Sequence, residues 1–401
     1  MNKCKLGDVA SVIISNVDKK SYENENKVIL CNFTDVYYNW AITLRNKPKL
    51  MVATATNNEI CKYKLHKGDV AITKDSETKE DIGQSTLIAD EIQDMLLGYH
   101  CALIRPNSDK LLGAYLNAVL HTKLATRYFE LNASGSGQRY TLSVDAINDF
   151  QLYLPSINEQ ERISKILTDI DRKIENNNCI NDNLAQQAKF LYDYWFTQFD
   201  FPNENNKPYR SSGGQMVWND LLKKEIPIGW SVKPIIDFSH IYQPQTISNN
   251  LFNEEYPYYV YGGGGLIGKY NKYNHTESEI IISCRGNCGN VLISMPNSWI
   301  TGNAMVVHPD ETVTKRYLYE FLRSYGVEKY ISGSVQKQLT RENLSIMPII
   351  VPPKPILNKF DAIVSNITAK QQSLFTENQE LMRLRNWLLP LLMNGQATIA
   401  E

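Results

Sequence analysis

The sequence predicts an α+β protein in which two globular domains of mixed helix and strand are separated by two long helices that form an antiparallel coiled coil. Three observations predict this fold. A polar phrase, SGSGQRYTLS at residues 134–143, nearly recurs as SGSVQKQLT at residues 332–340. Each phrase is followed by a short segment that ends in a proline, Pro155 or Pro352. An apolar seven-residue repeat, which is typical of long paired helices, follows each proline.

The length, charge balance and cysteine content of the sequence limit the classes of function. At 401 residues the chain is long enough for two or three domains. Its 42 Lys and Arg residues nearly balance 43 Asp and Glu residues, so any contact with nucleic acid must depend on local basic patches. The seven scattered cysteines are typical of reduced thiols rather than of a disulfide framework. Because no signal segment and no apolar run of about 20 residues is present, we expect a cytoplasmic protein without a membrane partner.

The seven-residue repeat predicts the helices. Aligning the two prolines gives an offset of 352 − 155 = 197 residues, and this offset superposes the two apolar repeats as well. The predicted seam comprises Ile163, Ile170, Asn177, Leu184, Leu191 and Trp195 on the first helix and Phe360, Ile367, Leu374, Leu381 and Leu388 on the second. Asn177 interrupts the apolar pattern, and it either fixes the register of the pair or is simply tolerated there. The alternative for the helices is that each lies on a separate domain core.

The remaining elements divide the chain into an internal repeat with an approximate twofold axis. Each globular region begins with short strands and continues with a helical run, at residues 111–131 or 315–331, before its polar phrase. The predicted segments are a first globular domain (1–155), a central helix (156–201), a polar linker (202–222), a second globular domain (223–352) and a C-terminal helix (353–401).

Several stretches occur in an order that resembles a known family. They are LPSINEQERISKILTDIDRKIE (154–175), FDFPNENNKPYRSSGGQMVWN (199–219) leading to PIGWSV (227–232), and YPYYVYGGGGLIGKYNKY (256–273) with ISCRGNCGNVLIS (282–294). Over essentially its whole length the chain resembles the specificity subunits of type I restriction-modification systems. It departs from the pattern where the first domain lacks a developed glycine-rich stretch and where the second helix begins VPPKPILNKF.

The resemblance implies a DNA-recognition subunit without catalytic residues of its own. Two target-recognition domains would each recognise one half of a bipartite, asymmetric site in double-stranded DNA, and the helices would act as a spacer. The resemblance also implies two modification subunits that methylate adenine N6 and two restriction subunits that translocate and cleave DNA. S-adenosylmethionine, ATP and Mg are expected on these partners, and no cofactor is expected on this chain. The competing hypothesis is a coiled-coil adaptor whose globular ends bind proteins.

The candidate DNA-contacting residues come from the two phrases, the basic clusters and the glycine-rich stretch. Small residues beside an amide and a cation suit sugar-phosphate contacts, and an arginine after a strand suits a guanine edge. The candidates are Lys123, Arg127, Ser134, Ser136, Gln138, Arg139, Gly263, Gly264, Lys269, Arg285, Asn287, Ser332, Ser334, Gln336, Lys337 and Arg341. The structural alternatives are a hinge for the two phrases, a solvated helix face for the basic clusters and a plain hairpin turn for the glycine-rich stretch.

Other motifs predict no chemistry. GGGLIGKY lacks the Ser or Thr of a phosphate loop and is followed by a strand-like segment, so it predicts a turn rather than a nucleotide site. Cys284 and Cys288 are four apart, unlike the C-x-x-C pairs of zinc sites, and we predict no metal. Glu77 and Lys79 form too short a pattern for a nuclease site. No catalytic residue is predicted.

Overall fold

The computed structural model describes residues 2–137, 139–285, 288–333 and 337–396, and the chain forms two compact units. Unit 1 comprises residues 1–177 and 377–401, and unit 2 comprises residues 178–376. Each unit therefore contains one globular domain of mixed helix and sheet and one segment from each of the two long helices. The predicted α+β class with two such domains and two long helices is confirmed.

Unit 1 contains two main sheets and several short helices. Its strands are β1 (Asn2–Lys5), β2 (Ala10–Ile14), β3 (Asn26–Cys31), β4 (Ala41–Ile42), β5 (Met51–Ala55), β6 (Val70–Thr73), β7 (Asp75–Ser76), β8 (Ser85–Ile88), β9 (Met95–Leu97), β10 (Cys101–Pro106), β11 (Ser134–Ser136), β12 (Arg139–Thr141) and β13 (Gln151–Leu154). Its helices are α1 (Phe33–Tyr38), α2 (Asn57–Tyr63), α3 (Gly113–Leu120), α4 (Lys123–Asn132), α5 (Val144–Asn148) and the first part of α6 (Ile157–Tyr192).

The central sheet of unit 1 has the strand order β2-β10-β6-β8-β4, and a second sheet has the order β5-β3-β9. β6, with the sequence VAIT, and β8 are buried at every position, because helices and the neighbouring sheet cover both faces. α3 and α4 are separate helices, whereas the sequence predicts one run over 111–131. The run breaks at Thr122, whose hydroxyl accepts a hydrogen bond from the amide of Ala125 and caps α4.

Unit 2 repeats this organisation. Its strands are β14 (Met216–Asn219), β15 (Lys224–Pro227), β16 (Ser231–Pro234), β17 (Ser239–Tyr242), β18 (Tyr258–Gly262), β19 (Gly265–Tyr270), β20 (Ile280–Ser283), β21 (Val291–Ile293), β22 (Trp299–Ile300), β23 (Ala304–Pro309), β24 (Ile331–Ser332), β25 (Gln338–Leu339) and β26 (Pro348–Val351). Its helices are α7 (Lys315–Tyr325), α8 (Arg341–Ser345) and the first part of α9 (Lys354–Met393).

The strand orders show that the repeat extends to the topology. The order β17-β23-β20-β21 in unit 2 matches β2-β10-β6-β8 in unit 1, and β19-β18-β22 matches β5-β3-β9. In both three-strand sheets the central strand pairs antiparallel with one neighbour and parallel with the other. The two domains are therefore copies of one fold with different sequences.

Within each unit the two helix segments pack antiparallel. In unit 1, Lys173 forms an ion pair with Glu377 at 3.1 Å, and Asp171 forms one with Arg385 at 3.4 Å. Residue numbers therefore rise along α9 in the direction in which they fall along α6. In unit 2 the rings of Tyr192 and Phe360 lie 6.4 Å apart. None of the eleven predicted seam residues is exposed. This pairing agrees with the predicted antiparallel coiled coil.

Asn177 is fully buried in this seam. Its side-chain amide donates hydrogen bonds of 2.9 Å to Asn378 Oδ1 and to Glu377 Oε2. A shift in register would break these buried hydrogen bonds, which favours a register role for Asn177 over simple tolerance. The register role stays a prediction.

The ends of the predicted segments differ in detail. α6 ends at Tyr192 and continues as a π-helical turn over Asp193–Thr197, which brings Trp195 and Phe196 into the core of unit 2. The residues predicted as a polar linker, 202–222, include β14, which pairs with β15. Among the described residues, no helix is both long and apolar enough to cross a membrane.

Candidate nucleic-acid interface

The two repeated phrases form β-hairpins. In unit 1, β11 pairs with β12 so that Ser136 lies opposite Arg139, and Gly137 occupies the turn with φ +71°. In unit 2, β24 pairs with β25 so that Ser332 lies opposite Gln338.

Each hairpin is held at the same place in its unit. β12 pairs with β7, which directly follows the buried strand β6. In unit 2 the amide of Leu339 donates to the carbonyl of Cys284, which directly follows the buried strand β20. After each hairpin, Ser143 or Thr340 caps the next helix through its hydroxyl. Both hairpins are thus fixed at two points and present their exposed residues in a defined direction.

A cleft of about 520 Å³ lies beside the hairpin of unit 1. It is lined by Phe33, Thr34, Tyr37, Tyr38, Asp75, Ser76, Glu77, Asp81, His100 and Arg139. One wall is aromatic, since the ring of Tyr37 lies 5.7 Å from that of Phe33 and 4.8 Å from that of Tyr38. Tyr38 is 77% exposed at the mouth, where its side chain is accessible to a ligand.

The floor of this cleft is an ordered polar network. Asp75 accepts hydrogen bonds of 2.6 Å from Lys74 Nζ and from His100 Nδ1. Burial raises the pKa of Asp75, but the hydrogen bonds from Lys74, Thr141 and His100 outweigh this effect and hold its pKa below the usual value. Asp75 is therefore ionised at neutral pH. Arg139 is exposed at the rim, where a guanidinium can contact phosphate or guanine.

A second cleft, of about 790 Å³, lies beside the hairpin of unit 2. Its lining comprises Gly264, Cys288, Gly289, Asn290, Val291, Leu322, Arg323, Gly326, Val327, Glu328, Ile331, Gly333 and Lys337. Arg323 lies over the ring of Tyr319 at 5.3 Å and pairs with Glu320 at 3.5 Å, so its guanidinium is held in place. Lys337 is exposed on the hairpin. Two cations and a glycine-rich turn therefore border this cleft.

The two clefts lie beside corresponding hairpins and share part of their lining. Three chain connections contribute to both: the one between the paired strands of the three-strand sheet, the one after the buried central strand, and the polar hairpin. The unit 2 cleft is lined in addition by residues 322–328 of α7 and the turn after it, whereas no residue of α3 or α4 lines the unit 1 cleft. The first of these connections spans residues 32–50 in unit 1 but only Gly263 and Gly264 in unit 2. The same framework thus presents two different sets of side chains.

A family model described as the type I restriction modification DNA specificity domain matches residues 1–186 and 227–381. The chain belongs to the type I restriction-modification DNA specificity family.

Relatives of this specificity chain extend over most of its length. It is 23% identical to the type I restriction enzyme HindI specificity subunit of Haemophilus influenzae, with 98% of each chain covered. It is 25% identical to the MjaIX specificity subunit of Methanocaldococcus jannaschii, with 73% of this chain and 71% of the relative covered. A crystal structure of a type I restriction-modification S subunit from M. genitalium matches with a TM-score of 0.53 and 15% identity, covering 100% and 96% of the two chains. This last likeness concerns the fold.

The candidate residues of the specificity chain are distributed unevenly about the two clefts. Arg139, Gly264 and Lys337 line the clefts. The exposed residues Ser134, Ser136 and Ser332 lie on the hairpins, Arg285 pairs by a single bridge with one hairpin, and Arg341 begins α8. Gln138, Asn287, Ser334 and Gln336 lie outside the described residues. The assignment of these residues to DNA contact stays a prediction.

Other candidates have structural partners. Arg127 bonds Glu130 at 2.8 Å on the exposed face of α4, which also carries Lys123. Lys269 donates to the carbonyl of Glu254 and lies over the ring of Tyr259, and it does not line the cleft. Gly263 is buried, and a Cβ atom there would lie 2.7 Å from both Asn303 O and Ser283 Oγ, so a glycine is needed for packing.

The basic run at the start of α7 does not form an open cationic face. Arg316 donates to the hydroxyl of Thr368 on α9, and burial lowers its pKa. Lys315 donates to the carbonyl of Ser278 at 2.5 Å. These cations hold helices and strands of unit 2 together.

The sequence reasoning missed Tyr37, Tyr38 and His100 in unit 1; Arg323 of unit 2 belongs to the basic cluster that the sequence shows, although it is not among the candidates named from it. One available signal was the Tyr-Tyr pair at the end of a short helix, because two adjacent helical residues cannot both face the same core. His100 carried no such signal, because its partner Asp75 lies 25 residues earlier in the sequence and only the fold brings the two together.

The cysteines near the unit 2 cleft have packing roles. Cys284 accepts a hydrogen bond of 3.1 Å from the Gln243 amide, and the Cys288 thiol donates one of 3.1 Å to the carbonyl of Lys337. Within the part of the chain that the structure describes, no group of three or more His, Cys, Asp or Glu side chains is arranged to hold a metal ion.

Proposed function

We propose that this chain is the DNA-recognition subunit of a type I restriction-modification complex, without catalytic activity of its own. Each unit recognises one half of a bipartite, asymmetric site in double-stranded DNA. The observation that carries this proposal is the pair of clefts beside corresponding hairpins, to which the same three connections contribute different side chains. Recognition of two different half-sites by two copies of one fold requires this combination of a shared position and a divergent lining.

The two linings suit different base edges. The unit 1 cleft combines tyrosine rings with carboxylates, which accept hydrogen bonds from the amino groups of cytosine or adenine. The unit 2 cleft combines a glycine turn with Arg323 and Lys337, which suit phosphate oxygens or guanine. An asymmetric DNA site follows from this difference.

The chain also serves as a scaffold for two modification and two restriction subunits, which carry S-adenosylmethionine, ATP and Mg. Two exposed aromatic residues support the binding of one partner in two copies. Phe190 on α6 is 67% exposed and Trp387 on α9 is 61% exposed. Their numbers differ by 387 − 190 = 197, the offset of the internal repeat, so they occupy equivalent positions. Exposed aromatic residues frequently anchor protein interfaces.

The decisive experiment combines the full chain with its modification subunit and sequences the methylated DNA. We expect adenine methylation at one bipartite, asymmetric motif and none from this chain alone. Methylation without a fixed motif would refute the proposal. Affinity for the duplex should also fall steeply with salt, because phosphate contacts release counterions, whereas the alternative adaptor would show no such DNA binding.

A further inference from the structure

We propose that the hairpin formed by β18 and β19 in unit 2 recognises thymine through Leu266 and Ile267. In this proposal their side chains contact C5-methyl groups in the major groove of the DNA. The inference rests on the proposed function, because it assumes that the unit 2 cleft faces DNA. It goes further in naming the base and the side chains that distinguish it.

Leu266 and Ile267 are unusually exposed for adjacent aliphatic residues on a strand. They are 42% and 44% exposed, and β19 is an edge strand of its sheet. The preceding residues, 262–265, are all glycine, so no neighbouring side chain on the turn covers them. The Ile267 side chain instead lies over Gly262, where a Cβ atom would be only 3.3 Å away. The hairpin therefore exposes two aliphatic side chains near its tip.

The tip is held in a fixed position. A Cβ atom on Gly263 would lie 2.7 Å from Ser283 Oγ, and one on Gly268 would lie 2.8 Å from the ring of Phe252, so the backbone packs closely on both sides. Lys269 donates to the carbonyl of Glu254 at 3.2 Å and lies over the Tyr259 ring. A fixed geometry lowers the entropic cost of ordering the hairpin when it binds, as expected of a recognition element.

The surroundings of the tip favour DNA as the occupant. Gly264, at the turn of this hairpin, lines the same cleft as Arg323 and Lys337. Leu266 and Ile267 do not line the cleft themselves but follow Gly264 by two and three residues along the hairpin. A cationic cleft that adjoins an apolar strand suits a surface that offers phosphates together with methyl groups. In the major groove, thymine differs from the other bases by its C5-methyl group, which aliphatic side chains can contact.

The equivalent connection in unit 1 supports a role in recognition. It carries α1 with Tyr37 and Tyr38 in place of the glycine turn, and these residues line the unit 1 cleft. The framework therefore places an exposed apolar or aromatic group at this position in both units. The proposal concerns the half-site of unit 2; in unit 1 the large side chains of this connection that line the cleft are aromatic, and the exposed aliphatic residues Met51 and Val52 of β5 do not line it.

The test uses the full chain assembled with its modification subunit and its DNA site. Each thymine of the site is replaced in turn by deoxyuridine, which removes only the methyl group, and affinity is measured by fluorescence anisotropy. We expect one or two positions in a single half-site to weaken binding roughly three- to fivefold each, as loss of one buried methyl group predicts. The variant with Leu266→Ser and Ile267→Ser should bind thymine and uracil sites equally at those positions.

The matched control is Leu221→Ser, which changes an aliphatic residue that is 64% exposed on the β14–β15 hairpin of the same unit. This variant should keep the full sensitivity to uracil. A wild-type complex that is insensitive at every thymine, or a double variant that keeps the sensitivity, would overturn the inference. Absence of any motif-specific binding by the wild-type complex would instead overturn the proposed function. Thermal melting of each variant confirms that it is folded.

Discussion

The guanidinium of Arg385 on α9 lies over the indole ring of Trp40, 4.5 Å from its centroid. The ring of His121 stacks on the same indole at 4.3 Å, and Asp171 on α6 lies 3.4 Å from the guanidinium. A cation over an aromatic ring is stabilising by about 0.5–2 kcal/mol, and more so away from water. These four side chains connect the globular domain of unit 1 to its two helix segments.

Removal of the Arg385 cation should lower the free energy of unfolding, because the buried carboxylate of Asp171 loses its partner. Arg385→Met keeps most of the volume but leaves Asp171 without its partner, and we expect a loss of about 3–5 kcal/mol at pH 7.5. Burial already raises the pKa of Asp171 to about 6, so the loss should shrink below pH 6, where Asp171 is protonated. Hydrogen exchange of residues 163–177 measures the effect. Adding Asp171→Asn should restore most of the protection, and a double variant no better than Arg385→Met would contradict this account.

His121 should make unit 1 sensitive to acid. Burial, together with the nearby charge of Arg385, lowers the pKa of His121 from 6.5 to about 4. Because the unfolded chain then binds the proton more readily, the stability is complete above pH 6.5 and is lost as the pH falls towards about 4, by up to about 3 kcal/mol. His121→Phe keeps a stacked ring but removes this dependence along with the hydrogen bond to Ser85 O. Denaturation of both proteins between pH 4 and 7 tests it, and an equal slope in the variant would refute it. Asp171 acts in the opposite sense over part of this range, so only the difference between the proteins is informative.

Phe190 and Trp387 should each determine the binding of one partner subunit. Native mass spectrometry of the wild-type chain with its modification subunit should show two bound copies. Phe190→Ser and Trp387→Ser should each remove one copy, and the double variant should remove both, because a solvent-exposed aromatic anchor is replaced without a change in the core. Ile180→Ser, at an aliphatic position of α6 that is 41% exposed, is the control and should keep two copies. Loss of both copies from a single variant would contradict two equivalent sites.

The hairpin cations should contribute affinity without sequence preference. Arg139→Ala and Lys337→Ala each remove an exposed charge from a hairpin. If each contacts one phosphate, the slope of log affinity against log salt should fall by about 1, and all DNA sequences should be weakened alike. Arg127→Ala, on α4 and paired with Glu130, is the control and should change neither quantity. A change in the preferred bases would show that the cation contacts a base edge instead.

The long helices could be predicted from the sequence, whereas the clefts could not. A seven-residue apolar spacing directly encodes a buried stripe, so residues such as Ile170 and Leu374 could be placed at the helix pair without knowledge of the fold. The unit 1 cleft, in contrast, unites Tyr38, His100 and Arg139, and their meeting depends on the order of strands in a sheet. No local pattern records that order.

The polar hairpins and the basic run on α7 show two further limits. Strands of two or three residues are too short to show apolar alternation, so the sequence pattern does not indicate strands within the phrase at 134–143. The charge of Arg316 suggested solvent, but its long side chain reaches Thr368 on the neighbouring helix. The type of a residue indicates whether its side chain favours water, but the fold determines which neighbouring group bonds to it.

The connection between the paired strands of each three-strand sheet differs greatly in length between the two units. Cys31 and Val260, on the strands before this connection, belong to the buried core, whereas the connection itself is long in unit 1 and only two residues in unit 2. Under the proposed function, a change in the length or sequence of this connection would alter the bases recognised, while the strands that flank it keep their places in the core.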